Sequence, residues 1–203
     1  MPKVSESYKE KKRQLIMENA LILFGEKGYE LTTIDDIGLK SGISKGMVYT
    51  YFKSKEDLYI TSMQQRTNHT FSKLQERFKK FSSADEKIVE LLRVYREAVT
   101  TTEGWTNIIR VDLEFWINSS RYDHLRNIMK EHFKNQMLHF LIQIIQEGQK
   151  NGEFKREVET ETFASLFWAM LDGICLHYAV IDKEYDYRGN FLLAEKMILQ
   201  YLK

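Results

Sequence analysis

Cysteine is almost missing from this 203-residue chain: Cys175 is the only one, so no intramolecular disulfide can form. Lying in an apolar stretch, it reads as a buried, reduced thiol, with a redox sensor as the alternative. Proline is as scarce, with Pro2 alone, and there are 10 glycines. Apolar residues recur every three or four positions and no strand-like alternation competes, so the shortage of breakers favours an all-helical protein. No uninterrupted apolar run reaches the roughly 18 residues needed to span a bilayer. The first thirteen residues carry Lys3, Lys9, Lys11, Lys12 and Arg13 and lack the apolar centre of a signal peptide. A soluble cytoplasmic protein with no membrane partner is expected, which makes the sequons at Asn68 and Asn118 chance matches. Also missing are cysteine and histidine sets at zinc spacing, a phosphate-cradling glycine loop and an H-E-x-x-H, so neither a metal, a cofactor nor enzymatic activity is expected.

Charge of one sign is lacking too. The formal net charge is +1, and a nucleic-acid partner must therefore rest on local clustering. Between Gly38 and Lys55 the basic residues Lys40, Lys45, Lys53 and Lys55 occur without one acid, downstream of the basic N-terminal arm.

The periodicity predicts about nine helices: Lys9 to Lys27, Thr33 to Lys40, Ser44 to Phe52, Lys55 to Lys79, Asp85 to Thr101, Trp105 to Asn118, Arg121 to Lys150, Thr160 to Ile181 and Gly189 to Leu202. Four starts resemble capping boxes: Thr33 with Asp36, Ser54 with Asp57, Ser83 with Glu86, and Ser120 with Asp123. The first three helices form a compact head, residues 1–53, and the remainder a larger helical domain, residues 54–203. The helix from Thr160 is apolar around nearly its whole circumference, and the last one has the same surplus in Phe191, Leu192, Leu193, Met197, Ile198, Leu199 and Leu202. Such helices are either central to one core or shared with a second chain, and the pair, about 160–202, is read here as half of an intermolecular four-helix bundle.

Thr32 to Leu58 reads short helix, glycine turn at Gly42, short helix, with a basic, hydroxyl-rich exposed side. That is the pattern of a helix-turn-helix. Gly42, Ser44, Lys45, Gly46, Tyr49, Tyr51, Phe52 and Lys55 together resemble the N-terminal signature of the TetR family of bacterial regulators. The signature covers roughly Leu15 to Leu58; the rest agrees in length, helix number and an Asp172-Gly173 step. Gly38 and Ser41 stand where members usually have alanine, and Tyr51 where histidine is common. The resemblance implies a homodimeric repressor whose heads read two operator half-sites about one helical turn apart, roughly 34 Å, until a small molecule occupies the larger domain. Physical chemistry gives the matched residues their own roles. Ser44 caps the recognition helix and Gly46 admits close approach of the duplex. Thr33, Tyr49, Tyr51 and Lys55 suit phosphate oxygens, whereas Lys45, Met47 and Thr50 suit base edges. Gly42 to Gly46 also fits the G-x-S-x-G of a hydrolase elbow, but that motif needs a strand before the serine and a helical turn stands there instead.

Two groups are candidates for an effector site. Trp105, Ile109, Asp112, Leu113 and Trp116 share one helical face with an acid at its middle, suited to an apolar or cationic ligand, with core packing as the alternative. His132 and Gln136 interrupt an apolar stripe at i and i+4, as cavity groups or as satisfied core polars. Arg110 and Glu114 read as a solvated pair. Two rival functions remain, a helical protein-interaction adaptor and an enzyme with a pocket in the larger domain. The first has no use for the basic segment, and the second lacks a convergent nucleophile, base or metal set.

Overall fold

A computed structural model describes residues 6–203, which leaves Lys3 of the basic arm outside the described residues, and every regular element within it is helical. In chain order these are α1 (Glu6–Lys27), α2 (Ile34–Ser41), α3 (Lys45–Tyr51), α4 (Lys55–Phe78), α5 (Ala84–Thr101), α6 (Trp105–Ser119), α7 (Asp123–His132), α8 (His139–Asn151), α9 (Thr160–Ile181) and α10 (Tyr187–Leu202). A π-helical stretch, Phe133–Leu138, joins α7 to α8 without a break, so the ten segments form nine rods.

Local signals account for most boundaries. Thr33 and Ser83 complete both bonds of a capping box, with Asp36 and Glu86 respectively. Ser54 completes only half of one: its hydroxyl accepts from the Asp57 amide, while the Asp57 carboxylate reaches back to the Lys53 amide at 2.8 Å. The expected box at Ser120 does not form, because the Ser120 hydroxyl donates to the Ile117 carbonyl at 2.7 Å and closes α6 instead of opening α7. Gly42 takes a left-handed conformation (φ 63°) and its amide bonds back to α2, turning the chain into α3.

Two apolar cores result. The head core, built on Ile16, Ala20, Phe24, Ile37, Val48 and Phe52, continues through Leu58, Tyr59 and Met63 of α4 into Val111 and Phe115 of α6 and Leu125 and Met129 of α7. Packing therefore crosses the sequence boundary between residues 53 and 54. α6 lies along α1 so closely that a Cβ on Gly25 would stand 2.5 Å from the Cβ of Asn107. The larger core joins α5, α8, α9 and α10 around Trp168, Phe167, Leu91 and Phe191. Helices α4 and α6 belong to both, so whatever moves either of them in the larger domain is felt in the head.

Candidate functional site

The outer face of α3 is open. Met47 and Tyr49 are each 48% exposed, and the position of a Cβ on Gly46 has no atom within 4 Å. Nothing in the fold requires a glycine at this place in a helix, where it costs about 0.5–1 kcal/mol relative to alanine. Ser44 caps α3 by accepting from the Met47 amide at 3.3 Å, and Thr33 is occupied in its capping box. Thr50 donates to the Met47 carbonyl, Lys45 pairs with Asp35 at 2.6 Å, and Tyr51 packs against the head core. Both partners of the Lys45 pair are more than half exposed, so the pair yields readily to another anion. Lys55 differs from the expectation of a free cation. Its Nζ donates to the Tyr29 carbonyl at 2.7 Å and the Glu30 carbonyl at 3.2 Å and lies 4.4 Å from the Tyr29 ring centroid, pinning the first turn of α4 to the loop after α1.

A second group of polar side chains lies between α4, α6 and the π-helical stretch. Arg66 Nη2 donates to both carboxylate oxygens of Asp112, 2.5 Å from Oδ1, and Tyr59 donates its hydroxyl to Oδ1 at 3.1 Å. Thr67 Oγ1 stands 3.5 Å from Nε2 of His132, whose side chain is buried. Three buried atoms here have no hydrogen-bond partner: Arg66 Nη1, His132 Nδ1 and Gln136 Oε1. Burial, aided by the Arg66 charge and opposed by Asp112, holds the His132 imidazole below its usual range, so it is neutral. Nearby on α9, Asp172 is exposed, yet partial desolvation first, and the charge of Asp112 second, push its carboxyl up to about 6.

Of the residues proposed for an effector, Asp112 and His132 lie close enough to act on one another electrostatically, Gln136 follows His132 by four residues with its amide oxygen buried, and the others do not join them. Trp105 donates its indole N–H to the Tyr187 hydroxyl at 3.1 Å and lines an open groove of about 540 Å³ with Thr100 and Asn107. Ile109 is buried in the larger core, Leu113 packs against it, and Trp116 meets Phe133 edge-on. Asp112 is already neutralised by Arg66, which removes it as the carboxylate for a cation. Arg110 and Glu114 do not pair: Arg110 donates to the Ala179 carbonyl at 3.1 Å, and Glu114 accepts from the Tyr29 amide at 3.3 Å. Sequence reasoning passed over Arg66 and Tyr59, and met Asp172 only as part of the Asp172-Gly173 step. The signal for Arg66 was present, since it continues the buried stripe of α4 seven residues after Tyr59 and a lone cation on such a stripe calls for a buried partner.

The cluster is wired to the head. The Tyr59 ring stacks on Phe115 at 3.9 Å and meets Tyr29 edge-on at 5.6 Å, and Tyr29 is the residue held by Glu114 and Lys55. Cys175 is buried beside Tyr187, and burial pushes its thiol up to about 12, the condition of an inert thiol.

α9 is by length and composition apolar enough to cross a membrane, with mean hydropathy 1.5 over its best window. One side of it, with Phe167, Trp168 and Leu171, is packed into the larger core. The other side exposes Leu166, Leu176, Val180 and Ile181, beside Leu192, Leu193, Met197 and Tyr201 of α10.

Residues 16–61 match the profile of the family described as bacterial regulatory proteins, tetR family, and residues 95–187 that of a tetracyclin repressor-like C-terminal domain. The uncharacterized HTH-type transcriptional regulator YfiR of Bacillus subtilis is 28% identical over 186 residues, which is 90% of this chain and 87% of that protein. The biofilm operon icaADBC HTH-type negative transcriptional regulator IcaR of Staphylococcus epidermidis is 30% identical over 148 residues, 62% of this chain and 78% of IcaR. Among solved structures, the fatty acid degradation regulator FadR from Bacillus halodurans superposes with a TM-score of 0.82 at 21% identity, covering 97% of this chain and 96% of its own, a likeness of fold.

Proposed function

The chain belongs to the tetR family of bacterial regulatory proteins, a DNA-binding transcriptional regulator and not an enzyme, and from that premise we propose that it is a cytoplasmic repressor released from its operator when a small molecule enters the buried polar cluster. The observation that carries the reading is Gly46: a glycine that destabilises α3, and that no neighbour in the chain requires, has its use in the approach of something outside. A duplex groove is that partner. Met47, Lys45 and Thr50 face base edges, with Tyr49, Thr33, Tyr51 and Lys55 toward phosphates and Ser44 holding the first turn of α3. Lys55 takes a phosphate only through N–H bonds left over from its two carbonyls. The similarity to IcaR, a negative transcriptional regulator, supports repression as the direction.

Two copies meeting through α9 and α10 would present two heads to two half-sites. An effector that binds the released state better shifts the population by that difference in affinity alone. The route is short: Asp112 and Arg66 border the cluster, and Tyr59, Phe115 and Glu114 reach from it to Tyr29 and the first turn of α4.

Fluorescence anisotropy against labelled genomic fragments, repeated from 50 to 300 mM salt, tests the reading. Sequence-selective binding whose affinity falls steeply with salt is expected, since neutralising several phosphates releases counterions. Selection of no fragment, together with an affinity indifferent to salt, would leave the chain as a helical adaptor.

A further inference from the structure

Resting on the reading that the polar cluster is the effector site, we propose that the effector carries an anionic head of the carboxylate type on an apolar body, and that the head docks on Arg66 in competition with Asp112.

The argument begins with how the guanidinium is used. A guanidinium and a carboxylate ordinarily meet fork to fork, two nitrogens on two oxygens. Here one nitrogen, Nη2, serves both oxygens of Asp112, and Nη1 is left bare and buried. An unpaired N–H on a buried cation is an expensive group to leave empty. The two neighbouring unpartnered atoms narrow what fills it. His132 is neutral, and in the tautomer in which the Thr67 hydroxyl donates to Nε2 the ring proton sits on Nδ1, which is then a donor. Gln136, four residues after His132, leaves its amide oxygen buried and unpartnered, and rotation of that amide by half a turn presents N–H instead of oxygen. In that arrangement Arg66, His132 and Gln136 are three donors awaiting acceptors. A carboxylate supplies acceptors alone, in the geometry a guanidinium prefers.

A cationic ligand offers no acceptor at its charged head, which carries N–H donors or, as a quaternary ammonium, no hydrogen-bonding group at all. It would leave Arg66 Nη1 empty and set a second positive charge beside the first, while Asp112 is already neutralised. An apolar body follows from the neighbouring side chains: Phe133 and Met137 alternate with His132 and Gln136 along the same stretch, Leu113 follows Asp112, and Trp168 donates to the Met137 carbonyl, all of them packed in or against the larger core. An acid at Nη1 draws the guanidinium from Asp112. Asp112 is also the acceptor for Tyr59, which stacks on Phe115 against Tyr29, so the competition for Arg66 acts where the cluster joins the head.

The test is isothermal titration of the full chain with three probes of equal length, dodecanoate, 1-dodecanol and dodecyltrimethylammonium, each below its critical micelle concentration, followed by anisotropy on the retained DNA. Dodecanoate is expected to bind at least about tenfold more tightly than the alcohol and to release DNA, and the ammonium to bind most weakly. Removing Arg66 alone strands Asp112, so the decisive variant is the double substitution Arg66→Gln with Asp112→Asn, which keeps a neutral hydrogen bond. Its preference for dodecanoate over dodecanol should vanish, with dodecanol affinity retained. Gln136→Leu should weaken dodecanoate selectively. Equal or tighter binding of the ammonium or the alcohol by the native chain overturns the anionic assignment while keeping the cluster as the effector site. Binding of none of the three overturns both.

Discussion

Single residues carry the separation between folding and function most clearly where the fold has no use for them. Gly46→Ala adds a methyl group into open space at the second position of α3 and recovers about 0.5–1 kcal/mol of helix propensity. The expected outcome is a small rise in thermal midpoint with at least a tenfold loss of operator affinity, read by calorimetry and anisotropy on one sample. A rise in both would remove Gly46 from the interface. Asp172 is the opposite case, a group whose charge the fold opposes. Its carboxyl is raised to about 6 by desolvation and then by Asp112, and among the described residues it makes no hydrogen bond or ion pair. A folded-state value above the unfolded one means that stability is lost as pH rises through the window from the unfolded value, near 4, to about 6. Asp172→Asn should therefore raise the thermal midpoint at pH 7.5 and change it little at pH 4, and an equal change at both would assign the effect to packing. At this scale the sequence was informative about α3, whose chemistry is local. It named Asp172 only in a shared dipeptide step and was silent about its perturbation, which comes first from desolvation in the folded chain and then from Asp112 of α6.

Among the elements, α4 and the α7–α8 rod show where periodicity ends as a guide. Apolar spacing and caps placed most helix boundaries within two or three residues, because each boundary is set by hydroxyls, acids and glycines a few positions away. The π-helical stretch at Phe133–Leu138 left no such trace. One extra residue in a turn brings Leu138 into the larger core, and that is a property of packing against α9, where Trp168 donates to the Met137 carbonyl at 3.0 Å. Lys55 was legible as a cation at a helix start but not as the clasp of α4, since its acceptors are the carbonyls of Tyr29 and Glu30, more than twenty residues away. A clasp and a phosphate ligand differ in consequence. Lys55→Ala should lower the thermal midpoint by the equivalent of about 1–2 kcal/mol and also weaken DNA binding, whereas Tyr49→Phe, on an exposed side chain, should weaken binding alone. A Lys55→Ala protein as stable as the parent would make the carbonyl bonds incidental.

For the whole molecule, the helical class and the head followed from breakers and periodicity, but the sharing of one core between head and larger domain did not. Val111, Phe115, Leu125 and Met129 look like any other apolar stripe until α6 is laid along α1. The surplus of apolar residues in the last two helices was legible, because a helix apolar on every side must be surrounded, either at the centre of one core or by a second chain. The structure sorts that surplus. Phe167, Trp168, Leu171 and Phe191 are buried internally, while Leu166, Leu176, Val180, Leu192, Leu193 and Met197 stay between 41% and 75% exposed. An apolar face on two adjacent helices is the kind of patch a monomer in water does not keep, and a two-fold pairing buries each of its residues twice. Leu193→Glu places two carboxylates in such an interface and removes two buried leucines, at about 1.5–3 kcal/mol each. The dimer dissociation constant should then rise by roughly two to four orders of magnitude by sedimentation equilibrium, with helicity unchanged and operator affinity falling toward that of one head. If Leu193→Glu and Leu166→Glu both sediment as the parent does, α9 and α10 do not form the contact, and two heads cannot be spaced by it.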